Sequence, residues 1–217
     1  MSTIFVPNGK IIIMNSSVLK KRGRPIEFDK DKALDNALHL FWAKGYEGTS
    51  LGDLVGTLGI NKPSLYASFG NKEELFHKVL ERYTQGPANF LAKALQEKTS
   101  KDVAIKFLTE AADVLTSKNN PKGCLIIQSA LSCSDESTSV KKLLTQYRKS
   151  IEGLLKNRFD RSKKDGDLSK TTNTEYLAKY IVTIHQGMSV QATNGTSKKE
   201  LLEMIKIAMN AWPENVI

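Results

Sequence analysis

The sequence predicts an all-α fold. Apolar residues recur at the i, i+3, i+4, i+7 spacing of amphipathic helices, and no segment keeps the alternation expected of a strand. Glycine, asparagine and proline stand between the periodic segments, where they end one helix or cap the next. The chain has 217 residues, of which 40% are hydrophobic and 25% charged, so it can build a folded core.

The first predicted helix follows Asp29, a capping residue, and ends at Gly45. A second helix ends at Gly59, and a third begins behind Asn61. Both of the first two helices carry an apolar face: Leu34, Ala37, Leu38 and Phe41 in the first, and Leu51, Leu54, Val55 and Leu58 in the second.

A fourth helix is predicted between Asn71 and the Gly86-Pro87 break. The remainder keeps a helical rhythm with polar breaks. There we predict helices near 88–98, 101–117, 123–133, 137–164, 174–193 and 197–212.

The second and third helices have the spacing of a helix-turn-helix. The second ends at Gly59, which supplies the left-handed backbone of the turn, and the third starts three residues later. We expect the wedge between them to be filled by Leu54, Leu58, Ile60 and Leu65. The compact side chains left on the third helix suit a major groove about 12 Å wide.

Polar side chains near this unit suggest two kinds of DNA contact. Hydroxyls and cations at helix N-termini suit phosphate oxygens. The predicted phosphate contacts are Thr49, Ser50, Tyr66 and Lys72. The first turn of the third helix is predicted to supply the other contacts. Lys62 and Ser64 would reach base edges, and Pro63 between them would also touch the DNA.

The positive net charge suits a polyanionic partner, but it is not concentrated in the segment predicted to bind DNA. The net charge is +9, but residues 1–86 carry +3 and residues 87–217 carry +6. We expect residues 1–22 to form a disordered basic arm, with natural translation starting at Met14 as one alternative. Arg22 and Arg24 would enter a narrow minor groove, or belong to a solvated tail.

The segments 23–29, 33–50 and 58–76 resemble the DNA-binding domain of TetR-family repressors. Residues 122–131 and 186–192 resemble one branch of that family more loosely. The resemblance implies a DNA-binding domain at 23–72 and a helical effector-binding and dimerisation domain at 73–217. It also implies DNA contacts by Thr49, Lys62, Tyr66 and Lys72. Val55 departs from the family, which prefers a small residue at this helix crossing; Gly56 would absorb the crowding.

The resemblance further implies a repressor that binds a palindromic operator as a homodimer and is released by a small-molecule effector. Dimerisation would use the helices near 174–193 and 197–212. Their apolar stripes are Leu177, Ile181, Ile184 and Met188, then Leu201, Met204, Ile205 and Ala208; spacing does not show whether the stripes face a partner or the chain's own core. Gly187 and Ser189 would permit close approach of a partner helix.

The effector pocket is assigned to residues of the middle helices: Phe90, Phe107, Cys124, Ile127 and His185. Each of them also fits a plain core position. A redox-responsive regulator sensing through Cys124 or Cys133 is an alternative, with Lys122 favouring a thiolate at Cys124. A helical adaptor that binds proteins rather than DNA is another.

No pattern in the sequence indicates an enzyme, a metal or a cofactor. His39, His77 and His185 stand far apart, and there is no phosphate-binding glycine loop or metal-ligand spacing. No apolar run approaches the roughly 18 residues of a membrane span. We therefore expect a cytoplasmic protein without membrane contact.

Overall fold

The computed structural model describes residues 29–134 and 137–213. All regular structure in these ranges is helical, which confirms the predicted all-α fold. The helices are α1 (Lys30–Lys44), α2 (Leu51–Leu58), α3 (Lys62–Phe69), α4 (Lys72–Gln85), α5 (Phe90–Ala94), α6 (Ser100–Thr116), α7 (Leu125–Leu131), α8 (Thr138–Lys164), α9 (Thr174–Thr193) and α10 (Lys198–Met209). The predicted basic arm, with Arg22 and Arg24, lies outside the described residues.

Helices α1–α4 share an aromatic core. The Phe76 ring meets Phe41 at 5.0 Å and Tyr46 at 4.9 Å between centroids, and Trp42 meets Tyr83 at 4.8 Å. Rings packed edge to face contribute beyond the area that they bury. This core fixes α1 against α4 and leaves α2 and α3 as a short pair on one side.

Three predicted helices are clearly shorter in the structure, and one of them, 197–212, is α10 (Lys198–Met209). The predicted helix 88–98 is only α5, because the carbonyls of Leu95, Glu97 and Lys98 accept hydrogen bonds from the buried Arg158 guanidinium. The predicted helix 123–133 begins at Leu125, because Gly123 has φ +79° and Cys124 is extended. A Cβ at Gly123 would collide with Gln128, so the tight turn there requires glycine.

Helices α6–α10 form the second half of the molecule, in which α9 packs on α6 and α8 and α10 packs on α6. The predicted stripes of α9 and α10 largely face this core, since Leu177, Ile181, Met188, Leu201 and Ile205 are buried within the single chain. The expectation that Ser189 borders a partner helix is wrong, because its buried hydroxyl accepts from the Cys124 amide at 2.8 Å. Gly187 is exposed.

A second set of α9 and α10 side chains points outward, and it includes Met204 of the predicted α10 stripe. It consists of Tyr176, Val190, Met204 and Ile207, and Tyr176 and Ile207 are 68% and 71% exposed.

Within the described ranges, no helix combines the length and apolar character needed to cross a membrane. The same ranges contain no cluster of three His, Cys, Asp or Glu residues suited to a metal ion.

Candidate nucleic-acid interface and effector cavity

The helix-turn-helix forms where the sequence places it. Ser50 and Asp53 cap α2 reciprocally: the Asp53 amide donates to Ser50 Oγ at 3.0 Å, and the Ser50 amide to Asp53 Oδ2 at 2.9 Å. Gly59 ends α2 with φ +65°. Asn61 caps α3 by accepting from the Ser64 amide at 2.9 Å. These local hydrogen bonds determine where both helices begin and end.

Helix α3 has one buried and one open face. Leu65 and Phe69 are buried against the α1–α4 core, as is Leu54 of α2, whereas Leu58 and Ile60 are partly buried. On the open face Lys62 and Pro63 are exposed, Tyr66 is 46% exposed and Ser64 is half-buried. The helix therefore presents the side chains that the sequence assigns to DNA contact.

Lys72 is held beside this surface rather than extended into solvent. Its Nζ lies 4.2 Å from the centroid of the Tyr46 ring, a cation–π contact. Burial lowers the pKa of Lys72, and nearby Glu47 opposes that shift. The position in the first turn of α4 agrees with the predicted phosphate contact, which stays a prediction.

The predicted phosphate contact by the Thr49 hydroxyl is wrong. Thr49 is completely buried, and its hydroxyl donates to the Gly45 carbonyl at 2.7 Å. Its amide donates to the Tyr46 carbonyl at 3.4 Å. A short hydroxyl side chain readily satisfies nearby backbone groups in this way. Ser50 remains exposed, although its hydroxyl already donates to Asp53 at 2.7 Å.

Two ion pairs and a hydrogen bond to the backbone hold this unit together and escape sequence analysis. Lys44 Nζ lies 2.7 Å from Asp53 Oδ1 and joins α1 to α2. Arg82 donates two hydrogen bonds to Asp35, at 2.8 and 3.0 Å, and joins α4 to α1. Lys78 Nζ donates to the Phe69 carbonyl at 2.9 Å and caps the end of α3. Each pair is 9 or 47 residues apart, so helical spacing does not reveal it.

The expected relief of crowding at Val55 is also not seen at Gly56. A Cβ on Gly56 would meet no atom within 4 Å, because this residue faces away from the neighbouring helices. Val55 itself is half-buried at the edge of the core. The structure therefore accommodates valine without using the neighbouring glycine.

The residues assigned to an effector pocket are all buried and lie together. The rings of Phe90, Phe107 and His185 form a cluster, with centroid distances of 5.5, 5.1 and 6.0 Å. His185 also lines a cavity of about 10 Å³ with Cys124 and Ile127. That volume admits about one water molecule. The five assigned residues surround closely packed space in this conformation.

A larger hollow lies elsewhere, between α6 and α10. It measures about 760 Å³, opens to solvent and is bordered by Lys198, Lys199 and Lys206 together with apolar residues such as Leu202. Among the described residues, none of the buried polar atoms that lack a hydrogen-bond partner borders it. The small cavity beside His185 is the better candidate for a specific ligand, because such atoms do border it.

Two family models match this chain. The model of bacterial regulatory proteins of the TetR family matches residues 33–79, and the model of the tetracyclin repressor-like C-terminal domain matches residues 105–206. The chain belongs to the TetR family. The resemblance identified from the sequence is thereby confirmed.

Relatives match this TetR-family chain over most of its length. ComR, an HTH-type transcriptional repressor of Escherichia coli (strain K12), is 36% identical over 204 residues, which are 92% of this chain and 96% of ComR. YezE, an HTH-type transcriptional regulator of Bacillus subtilis (strain 168), is 32% identical over 161 residues, or 73% and 83% of the two chains. A cysteine mutant of the TetR-family regulator CifR, solved with 26-bp double-stranded operator DNA, has a TM-score of 0.84 and 37% identity, and the match covers 88% of this chain and 100% of that one.

The two cysteines of this TetR-family chain have different surroundings. Cys124 is buried, burial raises the pKa of its thiol, and the Tyr83 hydroxyl donates to its Sγ at 3.4 Å. The expected activation by Lys122 is wrong, because Lys122 Nζ donates to the Thr116 carbonyl at 2.6 Å. Cys133 is partly buried, with Sγ 4.0 Å from Glu47 Oε1. These surroundings do not favour the redox alternative at Cys124.

The residues that flank helix α7 on both sides are hydrogen-bonded to the DNA-binding half, at α1 and at the link between α1 and α2. Before its start, Trp42 Nε1 donates to the Gly123 carbonyl at 2.9 Å. After its end, Glu47 Oε1 accepts from the Ser134 amide at 3.1 Å and from the Ser134 hydroxyl at 2.9 Å. Hydrogen bonds therefore link the surroundings of α7 directly to α1 and to the segment that joins α1 to α2.

Proposed function

We propose that this chain is a transcriptional repressor that binds a palindromic double-stranded operator as a homodimer and releases it when a small molecule binds the C-terminal half. The observation that carries the DNA-binding role is the open face of α3, where Lys62, Pro63 and Tyr66 stand on a helix anchored by Leu65 and Phe69. A helix held in this way can enter a major groove as a rigid body. CifR, which shares the fold, has been solved with operator DNA.

Selection of bound DNA from a random duplex pool tests this proposal. We expect an enriched palindrome whose half-sites lie about 34–36 Å apart, or a multiple of that distance. Affinity should fall steeply as salt increases, because cationic side chains displace counterions from phosphates. A pool without enrichment would favour the helical adaptor instead. Transcription from a promoter carrying the palindrome then separates a repressor from an activator.

The homodimer would form through the outward faces of α9 and α10. Tyr176, Val190, Met204 and Ile207 give these helices an exposed apolar surface that a second copy can cover. Sedimentation should show a dimer for the wild type and a monomer for Ile207→Glu. Leu131→Glu is the matched control, because Leu131 is equally exposed, at 71%, but lies on α7. Equal behaviour of the two variants would contradict this interface.

Release by an effector would proceed through α7. Ile126 and Ile127 of α7 line the small cavity, and the residues on both sides of α7 are hydrogen-bonded to α1 and to the link between α1 and α2. A ligand that enlarges the cavity displaces α7 and with it the attachment at Glu47. For this to weaken DNA binding, the ligand must prefer the displaced state. We expect this activity in the cytoplasm, where bacterial DNA lies.

A further inference from the structure

Two buried nitrogen atoms beside the small cavity make no hydrogen bond to any residue that the structure describes. They are Nε2 of His185, on α9, and Nε of Arg148, on α8. Both residues line the same cavity, and His185 is 96% buried by its neighbours, with 4% of its surface exposed. Buried polar groups without a partner are uncommon in folded proteins, because each loses its hydration without compensation.

The Arg148 guanidinium is partly buried and has no carboxylate partner among the described residues. The described hydrogen bond of the Arg148 guanidinium is from Nη2 to Thr145 Oγ1, at 3.2 Å, and no carboxylate of the described residues forms an ion pair with it. Arginine keeps its charge, and its Nε–H can only donate. The cavity therefore contains a cationic donor in need of an acceptor.

His185 supplies a neutral group beside that cation. Burial alone lowers its pKa to about 4. A neutral imidazole has one N–H, and with the proton on Nε2 it donates to an oxygen acceptor. The remaining space is bordered mainly by apolar side chains: Ile126, Ile127, Ile151 and Val182. A polar end with two donors thus adjoins an apolar wall.

We propose that this cavity binds a small organic carboxylate as the effector. One carboxylate oxygen accepts from Arg148 Nε and the other from His185 Nε2, while the apolar body of the ligand lies between α7 and the pair of α8 and α9. A carboxylate matches a guanidinium in charge and in geometry, and such charge-assisted hydrogen bonds are among the stronger ones in proteins. The inference rests on the proposed effector-released repressor and assigns the chemical class of its effector.

The ligand must enlarge the cavity, since about 10 Å³ holds only one water molecule. The side of the cavity formed by Ile126 and Ile127 is the one attached to the DNA-binding unit. Opening it therefore moves α7 outward and couples occupancy to operator release. If a single water bridges Arg148 and His185 instead, the cavity has no need to open, and carboxylates will have no effect.

The test compares carboxylates with neutral and cationic molecules of the same shape. Octanoate and benzoate serve as probes, and 1-octanol, octylamine and benzyl alcohol are their matched controls. We expect both carboxylates to raise the Tm of the wild type and to release the selected operator in fluorescence anisotropy. The three controls should do neither at the same concentrations.

Variants assign the effect to the cavity. Arg148→Gln should weaken carboxylate binding about 10- to 100-fold, because a hydrogen bond to a charged group is lost. His185→Phe should weaken it less. Arg161→Gln, an exposed arginine on the same helix, is the matched control and should respond like the wild type. Arg148→Gln should keep the wild-type operator affinity and an equal or higher Tm, which shows that the variant is folded.

The possible failures differ. If the alcohols release operator as well as the carboxylates do, if neither carboxylate acts, or if Arg148→Gln responds like the wild type, the carboxylate assignment is overturned while operator binding stands. If the wild type selects no DNA, the repressor proposal fails. A carboxylate-dependent Tm that is lost in Arg148→Gln would in that case still support the ligand site.

Discussion

The two halves of this molecule differ in whether their buried polar groups have hydrogen-bond partners. In α1–α4, capping boxes, ion pairs and backbone acceptors occupy the polar side chains that are withdrawn from water. In the described residues, the buried side-chain atoms without a hydrogen-bond partner are found in α6–α9: on Ser100, Ser129, Arg148 and His185. A DNA-binding unit benefits from rigid positioning, whereas a sensing unit must change shape when a ligand arrives. The difference is the one expected of a regulator.

The largest expected effect that tests this comparison is the acid response of the second half. The ordinary pKa of His185 is 6.5, and burial lowers it to about 4 in the folded chain. Its neutral form is favoured by folding, so stability is present above pH 6.5 and is lost as the pH falls from 6.5 towards 4. The complete loss is about 3 kcal/mol.

Urea unfolding at pH 7 and pH 4 measures this loss. His185→Phe should lose less stability than the wild type over that interval. His39→Gln should show the wild-type slope, because His39 is exposed on α1. Equal slopes for the wild type and His185→Phe would mean that His185 is solvated, and the contrast between the halves would weaken.

The next effect distinguishes a residue of the DNA-binding half that contacts DNA from one that stabilises the fold. Lys62→Ala should weaken operator binding by about 1–3 kcal/mol without changing stability, because Lys62 is exposed. Thr49→Val should lower the free energy of unfolding by about 1–2 kcal/mol, because the Gly45 carbonyl loses its buried donor. Lys118→Ala, an exposed lysine after α6, is the control for Lys62. Operator titration measures the affinity of each variant, and urea unfolding measures its stability. If Thr49→Val lost operator affinity and Lys62→Ala lost stability, the two roles would be assigned the wrong way round.

Lys62 and Thr49 also show which features can be predicted from the sequence and which cannot. Helix positions and the HTH turn depend on caps within three residues, such as Asn61 with Ser64, so local patterns predict them. Whether the Thr49 hydroxyl is exposed or buried depends on how the chain folds back after Gly45. The spacing of residues in the sequence does not predict that. In the sequence, nothing distinguishes Arg148 from the solvent-exposed residues of a long polar helix. Only the packing of α7 and α9 against α8 brings it to a cavity.

A smaller effect is expected at the attachment between the halves. Glu47→Gln removes the charge that accepts from Ser134 and from Ser137, and the Ser137 hydrogen bond is the main cause of the lowered pKa of Glu47. We expect operator affinity without effector to change little, and the coupling between effector and operator to fall by about 0.5–2 kcal/mol. Asp113→Asn, on α6, is the control. Anisotropy titrations with and without effector give the coupling, and unchanged coupling in Glu47→Gln would exclude Glu47 from the route.

The smallest effect is expected from the cysteine that sequence analysis favoured as a sensor. Cys124 is buried, its amide is bonded to Ser189 and its Sγ accepts from Tyr83, so neither access nor a lowered thiol pKa favours reaction. Iodoacetamide should therefore label Cys133, which is only partly buried, well before Cys124. Cys133→Ser protein treated with peroxide should keep operator affinity within about twofold, since 0.4 kcal/mol corresponds to that ratio. A large loss of affinity in that variant would make Cys124 a sensor after all, and would show that the second half opens far enough, without ligand, to expose its core.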